Sequence, residues 1–179
     1  MWSSSQRAQT VFGLFTSVLF ALAAAIALTD YLPLSRFQSD PTAAIDVSKV
    51  VVKYSRAPRS YSNKQQEFAH VQYDLTADLS SLFHWNTKQV FAYLVAEYPG
   101  TKFQHNEVTL WDVIIRKKQD AVLSLNKKRN KYAFGDITKV FDQRNATFSL
   151  HWNVMPHVGV LNWNSVKGSQ VVTLPARNN

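Results

Sequence analysis

The chain has 179 residues, of which 46% are hydrophobic and 18% are charged, a composition that excludes a disordered polypeptide. It contains no cysteine, which excludes disulfide bonds, thiol nucleophiles and zinc sites of the cysteine type. The formal net charge is +8, and the densest basic cluster consists of Lys127, Lys128, Arg129 and Lys131. This cluster lies in a polar stretch without interleaved aromatic residues, which predicts a solvated loop and disfavours a nucleic-acid site.

An uncharged apolar run of 18 residues extends from Val11 to Leu28. A cleaved signal peptide is one interpretation, because Ala25-Ile26-Ala27 fits a small-residue cleavage pattern. Apolar segments of cleaved peptides are shorter, however, and 18 helical residues reach about 27 Å, close to the thickness of the endoplasmic-reticulum bilayer. We therefore expect an uncleaved signal-anchor that spans the membrane at residues 11–28.

The residues that flank this run predict its orientation. Arg7 precedes the span and Asp30 is the first charge after it, so the positive-inside bias places residues 1–10 in the cytosol. Residues 29–41 contain two prolines and read as a linker, which leaves residues 42–179 as a lumenal domain. The sequon Asn145-Ala146-Thr147 fits that location and marks Asn145 as a candidate glycosylation site.

Short runs rich in β-branched and aromatic residues follow the linker and predict strands. The residues from Phe148 to Val154 alternate between apolar and polar side chains, which indicates one buried and one wetter face, whereas Val90 to Ala96 is apolar on both faces and predicts a central strand. One short helix capped by Asp78 interrupts the pattern. The fold class is therefore mainly β: one N-terminal transmembrane helix followed by an antiparallel β-sandwich. The expected strands lie near residues 45–54, 67–77, 88–98, 107–116, 121–126, 145–155 and 169–174.

Neither catalytic nor metal-binding residues emerge from motif spacing. No pair of histidines has the His-x-x-x-His spacing of a helical zinc site. No serine is bracketed by glycines as in a hydrolase nucleophile turn. The sequence thus predicts no catalytic group, cofactor or metal ligand, and places His70 and His151 on the wetter faces of their strands. The candidates weighed are the five histidines and the scattered carboxylates: His70, His84, His105, His151, His157, Asp74, Asp78 and Asp112.

Three stretches of the sequence together carry a family resemblance. They are YDLTADLSSLFHWNTKQVFAYLVAEY at Tyr73 to Tyr98, NEVTLWDVII at Asn106 to Ile115, and RNATFSLHWNVMPHVGVL at Arg144 to Leu161. In order and spacing they resemble the signal peptidase complex subunit 3 family, the accessory subunits of the eukaryotic microsomal signal peptidase. The resemblance covers most of the chain from about Lys49 to Leu161 and looks closer to fungal than to animal members.

The resemblance implies a non-catalytic subunit in the endoplasmic-reticulum membrane. Its partners would be the separate serine-type catalytic subunit, the other small membrane subunits and the membrane lipids, with no nucleic acid and no small-molecule substrate. It also implies that Asn145 carries a glycan. Two alternatives from other classes stay open: a free-standing type II lumenal binding or adhesion module, and a lumenal hydrolase of unknown type.

Overall fold

The computed structural model describes residues 3–29, 40–56, 65–100, 102–141 and 143–175. Within these residues it contains one α-helix, two four-stranded antiparallel sheets and two single 3-10 turns. The helix α1 spans Ser4–Thr29 and contains the whole apolar run at residues 11–28. None of its side chains is buried, and it is long and apolar enough to cross a membrane. Most of the expected linker, residues 30–39, lies outside the described residues.

In the described part of the chain eight strands form the two sheets, and all seven expected strands are confirmed with shifted ends. Only the two-residue strand β6 was missed, because a segment that short has no periodicity to read. Sheet A has the order β1-β2-β5, with β6 also pairing with β2, and sheet B has the order β4-β3-β7-β8. The strands are β1 (Thr42–Arg56), β2 (Gln65–Asp78), β3 (Thr87–Tyr98), β4 (Asn106–Ile115), β5 (Val122–Arg129), β6 (Phe134–Gly135), β7 (Asn145–Pro156) and β8 (Asn162–Thr173).

The two sheets enclose one hydrophobic core. Strand β3 lies between β4 and β7, as its apolar character on both faces predicts. Trp152 on β7 is 3% exposed and Trp111 on β4 is 7% exposed, so both tryptophans pack inside. Tyr73 on β2 is fully buried opposite them in sheet A. The core is therefore built mainly by side chains from the central strands β2, β3 and β7, together with Trp111 of the edge strand β4.

The expected short helix is a single 3-10 turn at Ser80–Leu82. The carboxylate of Asp78 accepts the expected hydrogen bond from a following backbone N–H, that of Ser80 at 2.9 Å, although the N-cap residue of the turn is Leu79. Leu79 is fully buried and Phe83 is 8% exposed. The turn ends there because Phe83 already has an extended backbone. A second turn, closed by the hydrogen bond from the Thr87 N–H to the His84 carbonyl, then leads into β3.

The composition of the basic cluster predicted a loop, and this prediction is wrong. Lys127, Lys128 and Arg129 are the last residues of β5, and a bulge interrupts its pairing with β2 between Tyr73 and Leu75. Lys127 has a positive φ of 49°, and its backbone N–H donates to the carboxylate of Asp74. The bulge allows the basic residues to continue the sheet while their side chains remain exposed.

A buried polar cluster joins the two sheets at one end of the sandwich. The Asp136 carboxylate, 3% exposed, accepts hydrogen bonds from the Tyr98 hydroxyl at 2.9 Å and the Thr138 backbone N–H at 2.8 Å. The Arg144 guanidinium lies 3.8 Å from the same carboxylate. Burial alone would raise the pKa of Asp136, but these donors and the nearby cation outweigh it and lower the pKa.

Candidate partner-binding surface

The predicted glycosylation residue, Asn145, is the first residue of β7 and its side chain is exposed. It faces Thr173 of the neighbouring strand β8, whose hydroxyl donates a hydrogen bond of 2.7 Å to the Asn145 Oδ1. This position is open to solvent at the start of a strand. Occupancy of the site stays a prediction.

The five histidines lie on different strands and loops. Within the described residues, the structure contains no group of three or more His, Cys, Asp or Glu side chains that could hold a metal ion. His70 is exposed on β2, and His105 contacts the Glu107 carboxylate at 2.7 Å. His84 and His157 belong to the two loops that precede β3 and β8. His151 lies in a cluster with both a hydroxyl and a carboxylate.

That cluster lies on the outer face of sheet B and was missed by sequence reasoning. The Ser149 hydroxyl donates to the Glu97 Oε1 at 2.8 Å and lies 2.9 Å from the His151 Nε2. Lys167 completes the cluster, 3.7 Å from the same carboxylate. Ser149 and His151 are two residues apart on β7 and therefore share a face, a signal visible in the sequence. Glu97 is on β3, so only the strand register brings it into contact.

The geometry of this cluster differs from that of a hydrolytic triad. The serine proton points to Glu97, so the Ser149 oxygen accepts a hydrogen bond from the Nε2–H of His151. In a triad the serine donates to Nε2 and the carboxylate holds the other ring nitrogen. Glu97 instead lies 3.6 Å from the same Nε2, and Ser149 is fully buried. The arrangement fits a hydrogen-bonded surface cluster.

Electrostatics support the same interpretation of the cluster. Burial alone would raise the pKa of Glu97, but the hydrogen bond from Ser149, the Lys167 cation and His151 outweigh it, so the pKa is lowered. A carboxylate with a lowered pKa stays ionised at neutral pH and is a weak proton acceptor. Ser149 and Glu97 therefore satisfy each other's polar groups where the alternation of β7 predicted a wetter face.

Next to this cluster, the outer face of sheet B carries a row of three apolar or aromatic residues and the asparagine Asn153, which is 5% exposed. Strand pairing places Ile114, Phe91, Asn153 and Trp163 side by side across all four strands. Ile114 is 50% exposed and Trp163 is 64% exposed. The Phe91 ring stacks on the Tyr93 ring with centroids 5.3 Å apart. We call the surface formed by Phe91, Tyr93, Ile114, Asn153 and Trp163 the aromatic face.

Paired charges border the aromatic face. Asp112 is opposite Tyr93, and its Oδ1 accepts hydrogen bonds from the Lys131 ammonium at 2.6 Å and the Tyr132 hydroxyl at 2.7 Å. These two donors lower the pKa of Asp112. The Asp112 pair and the Glu97 cluster both lie on the Tyr93 side of this row, so satisfied polar groups border the exposed apolar residues Ile114 and Trp163 at one end. This is the layout of a protein-binding surface.

Comparison with known proteins gives the affiliation of the chain. A family model described as "Signal peptidase subunit" matches residues 1–177. Three curated relatives, each named "Signal peptidase complex subunit 3", are fungal. The Debaryomyces hansenii protein is 48% identical over 63% of this chain and 60% of its own length. The Saccharomyces cerevisiae protein is 44% identical over 71% and 70%, and the Yarrowia lipolytica protein 39% identical over 95% of both chains. The chain belongs to the signal peptidase subunit family.

Proposed function

We propose that this protein is a non-catalytic accessory subunit of the signal peptidase complex in the endoplasmic-reticulum membrane. Membership of the family and the apolar helix α1 support this assignment. In the proposed topology α1 is an uncleaved anchor, residues 1–10 are cytosolic and the sandwich is lumenal. The polar flank with Arg7 before the span favours that orientation.

Its mechanism is scaffolding: the sandwich holds the lumenal part of the separate serine-type catalytic subunit. The observation that carries this proposal is the aromatic face, where Ile114 and Trp163 expose half or more of their surface on a rigid four-stranded sheet. Tryptophan is enriched among residues that dominate binding energies at protein interfaces. Phe91 and Tyr93 provide a stacked, half-buried floor that would lose little conformational entropy on binding.

The test replaces both exposed apolar side chains of the aromatic face by aspartate, Ile114→Asp with Trp163→Asp. The full-length variant should assemble with less catalytic subunit and uncleaved precursors should accumulate, because burying an unpaired carboxylate at an interface is costly. The matched control is Val122→Asp with Ile137→Asp, which are 63% and 66% exposed outside this face. Equal loss of catalytic subunit in both double variants would overturn the assignment of this face.

A second experiment asks whether the sandwich is needed at all. A fragment of residues 1–41, which keeps α1 but no strand, should fail to restore signal cleavage in cells that lack the protein. Rescue by this fragment would contradict the scaffolding mechanism. If no membrane peptidase co-purifies with the intact chain, the alternative of a free-standing lumenal binding module replaces the proposal.

The proposed topology makes two covalent features measurable. Intact mass of the mature protein should retain residues before Ala25, because α1 stays attached; a mature N-terminus within residues 24–28 would show cleavage. Asn145→Gln should remove a single glycosidase-sensitive mobility shift, because the exposed sequon would face the lumenal transferase. A wild-type chain without that shift would contradict either the lumenal location or the access of the transferase to the site.

A further inference from the structure

A basic groove of about 370 Å³ lies on the outer face of sheet A, on the opposite side of the sandwich from the aromatic face. It crosses three strands, β1, β2 and β5. We call this surface the cationic groove. Its side chains are Lys49, Val51, Lys53, His70, Gln72 and Arg129.

Two separate bulges direct cations into this groove. Ile45 and Val47 on β1 are buried, so strict alternation would point Lys49 into the core. The register shift between Val47 and Lys49 adds one residue, Ser48, and turns Lys49 outward instead. Side chains re-aimed by bulges are a recurring feature of functional strands.

The second bulge acts on the other side of the groove. Leu125 on β5 is opposite the core residue Leu75. The shifted register then places Arg129 opposite Gln72, in line with Lys49 on β1. Without this bulge Arg129 would be opposite the buried Val71 and would point toward the core. Two independent irregularities thus bring cations to one row of the sheet.

The charge of the groove is not compensated from within the described part of the chain. Among those residues, Lys49, Lys53 and Arg129 form no ion pair within 4 Å. Two carboxylates, Asp46 on β1 and Asp74 on β2, lie opposite each other in the next row of the same face of sheet A. The Asp74 carboxylate accepts a hydrogen bond from the backbone N–H of Lys127 in the β5 bulge. Like charges gathered on one face repel each other, which favours binding of an anionic partner.

The dimensions of the groove indicate the form of that partner. Lys49 and Lys53 are four residues apart on one strand, about 13 Å, and β1 and β5 are two strand spacings, about 10 Å, apart. One phosphate group is too small to contact cations spread over this area. In an extended peptide with acidic side chains on alternate residues, the carboxylates recur about every 7 Å, and this spacing matches the spread of cations in the groove. Val51, half-buried between the two lysines, offers an apolar floor for the stems of such side chains.

From these observations we infer that the cationic groove binds an acidic segment of another polypeptide in extended conformation. This surface is separate from the aromatic face and goes beyond the scaffolding role. The partner is defined by its chemistry: a run in which Asp and Glu recur at alternate positions. Specificity comes from the spacing of the three basic side chains, and the His70 ring also lines the groove.

The binding test uses the full chain in neutral detergent micelles and two fluorescent peptides of about eight residues. One peptide alternates Glu with Ser, and the other alternates Gln with Ser. Anisotropy should show tighter binding of the Glu peptide, weakened by added salt because exposed charges are screened. The triple variant Lys49→Glu, Lys53→Glu, Arg129→Glu should bind the Glu peptide with an affinity reduced about tenfold or more.

A matched variant separates the groove from the total charge of the protein. Lys88→Glu, Lys117→Glu and Lys118→Glu change the net charge equally at exposed positions outside the groove and should leave peptide binding within about twofold. If both triple variants lose affinity equally, the groove is not the site. A wild-type chain that binds both peptides equally would also overturn the inference. If the triple Glu variant does not fold, a variant with Gln at the same three groove positions replaces it in the binding measurement.

A second experiment identifies the natural occupant in the assembled complex. A photo-crosslinker replaces Val51, which lies at the centre of the groove. The crosslinked peptide, sequenced by mass spectrometry, should contain more Asp and Glu than Lys and Arg. A crosslink to lipid, or to a neutral or basic segment, would overturn the inference. Binding of anionic phosphatidylserine vesicles through the groove without binding of the Glu peptide would do the same.

Discussion

The two outer faces of this sandwich treat charge in opposite ways. On sheet B, Glu97 and Asp112 each have a hydrogen-bonded partner, and the exposed side chains of Ile114 and Trp163 in the adjoining row are apolar. On sheet A, the cations of the groove have no ion-pair partner among the described residues. A face that satisfies its own charges is suited to a permanent apolar interface. A face with uncompensated cations gains from association that depends on salt and on partner charge.

The strand irregularities explain how one fold produces both faces. In sheet B, the register brings Ser149, His151 and Glu97 together, so polar groups that alternate with the core satisfy one another. In sheet A, the bulges rotate Lys49 and Arg129 away from the core and onto one face. A difference of one residue in register therefore decides whether a lysine would be buried or would line a groove.

The largest expected effect comes from the core beneath the aromatic face. Trp152→Ala should lower the free energy of unfolding by about 3–5 kcal/mol, because a buried indole leaves a large cavity. Circular dichroism during denaturant unfolding of the full chain measures it. Trp163→Ala is the matched control, since this indole is 64% exposed and should cost under about 1 kcal/mol. Similar losses in both variants would show that the aromatic face is part of the core.

The charge between the sheets should matter more than the charges on either face. Asp136→Asn should cost about 3 kcal/mol, because it leaves the Arg144 guanidinium beside a neutral group in the interior. The lowered pKa of Asp136 means that its stabilisation is present above the unfolded pKa near 4 and is lost as pH falls through the folded value. Wild-type stability should therefore fall in acid more steeply than that of the variant. Parallel pH profiles would contradict this role.

On the aromatic side, Glu97→Gln should cost about 1 kcal/mol, because the change keeps the shape but removes the charge that Lys167 and His151 face. The lowered pKa of Glu97 has the same sign as that of Asp136, so its contribution is also lost as pH falls. Lys53→Gln in the cationic groove serves as the contrast. It should leave stability unchanged or slightly raised, because it removes an uncompensated charge. A loss of stability there would contradict the difference between the two faces.

A smaller effect is expected beneath the cationic groove. The Tyr73 hydroxyl is buried and has no hydrogen-bond partner among the described residues, and burial raises its pKa. Tyr73→Phe should therefore leave stability unchanged or raise it by about 1 kcal/mol, because it removes an unsatisfied polar group while keeping the ring. Thermal unfolding of the full chain measures this. A clear loss of stability would show that the hydroxyl has a partner in the folded protein.

The smallest expected effect concerns activity. His151→Ala should leave signal-peptide cleavage by the assembled complex within a few fold, because the ring donates to Ser149 and does not accept its proton. Loss of a true general base would reduce cleavage about 10²–10⁴-fold. A reduction of that size with normal assembly would revive the hydrolase alternative and give the Glu97 cluster a catalytic role.

The sequence by itself determined much of this protein. The apolar run at residues 11–28 identified α1, since an uncharged stretch of that length has few other structures open to it. Alternation identified the strands, and the apolar segment at residues 90–96 identified the centre of sheet B. The resemblance of three stretches identified the family. These features are local or nearly so, because the periodicity of a helix or strand depends on residues that are close in sequence.

Only the tertiary structure decided which side chains meet. Glu97 lies 52 positions from Ser149, and the periodicity of the sequence does not predict a side-chain contact between two strands. The basic residues at 127–129 read as a loop because charge is typical of loops, yet a bulge held by Asp74 keeps them in β5. The cationic groove depends on two such bulges, each of which shifts a register by one residue. Register follows from the packing of whole strands, so the two surfaces proposed to bind partners could be located only in the folded chain.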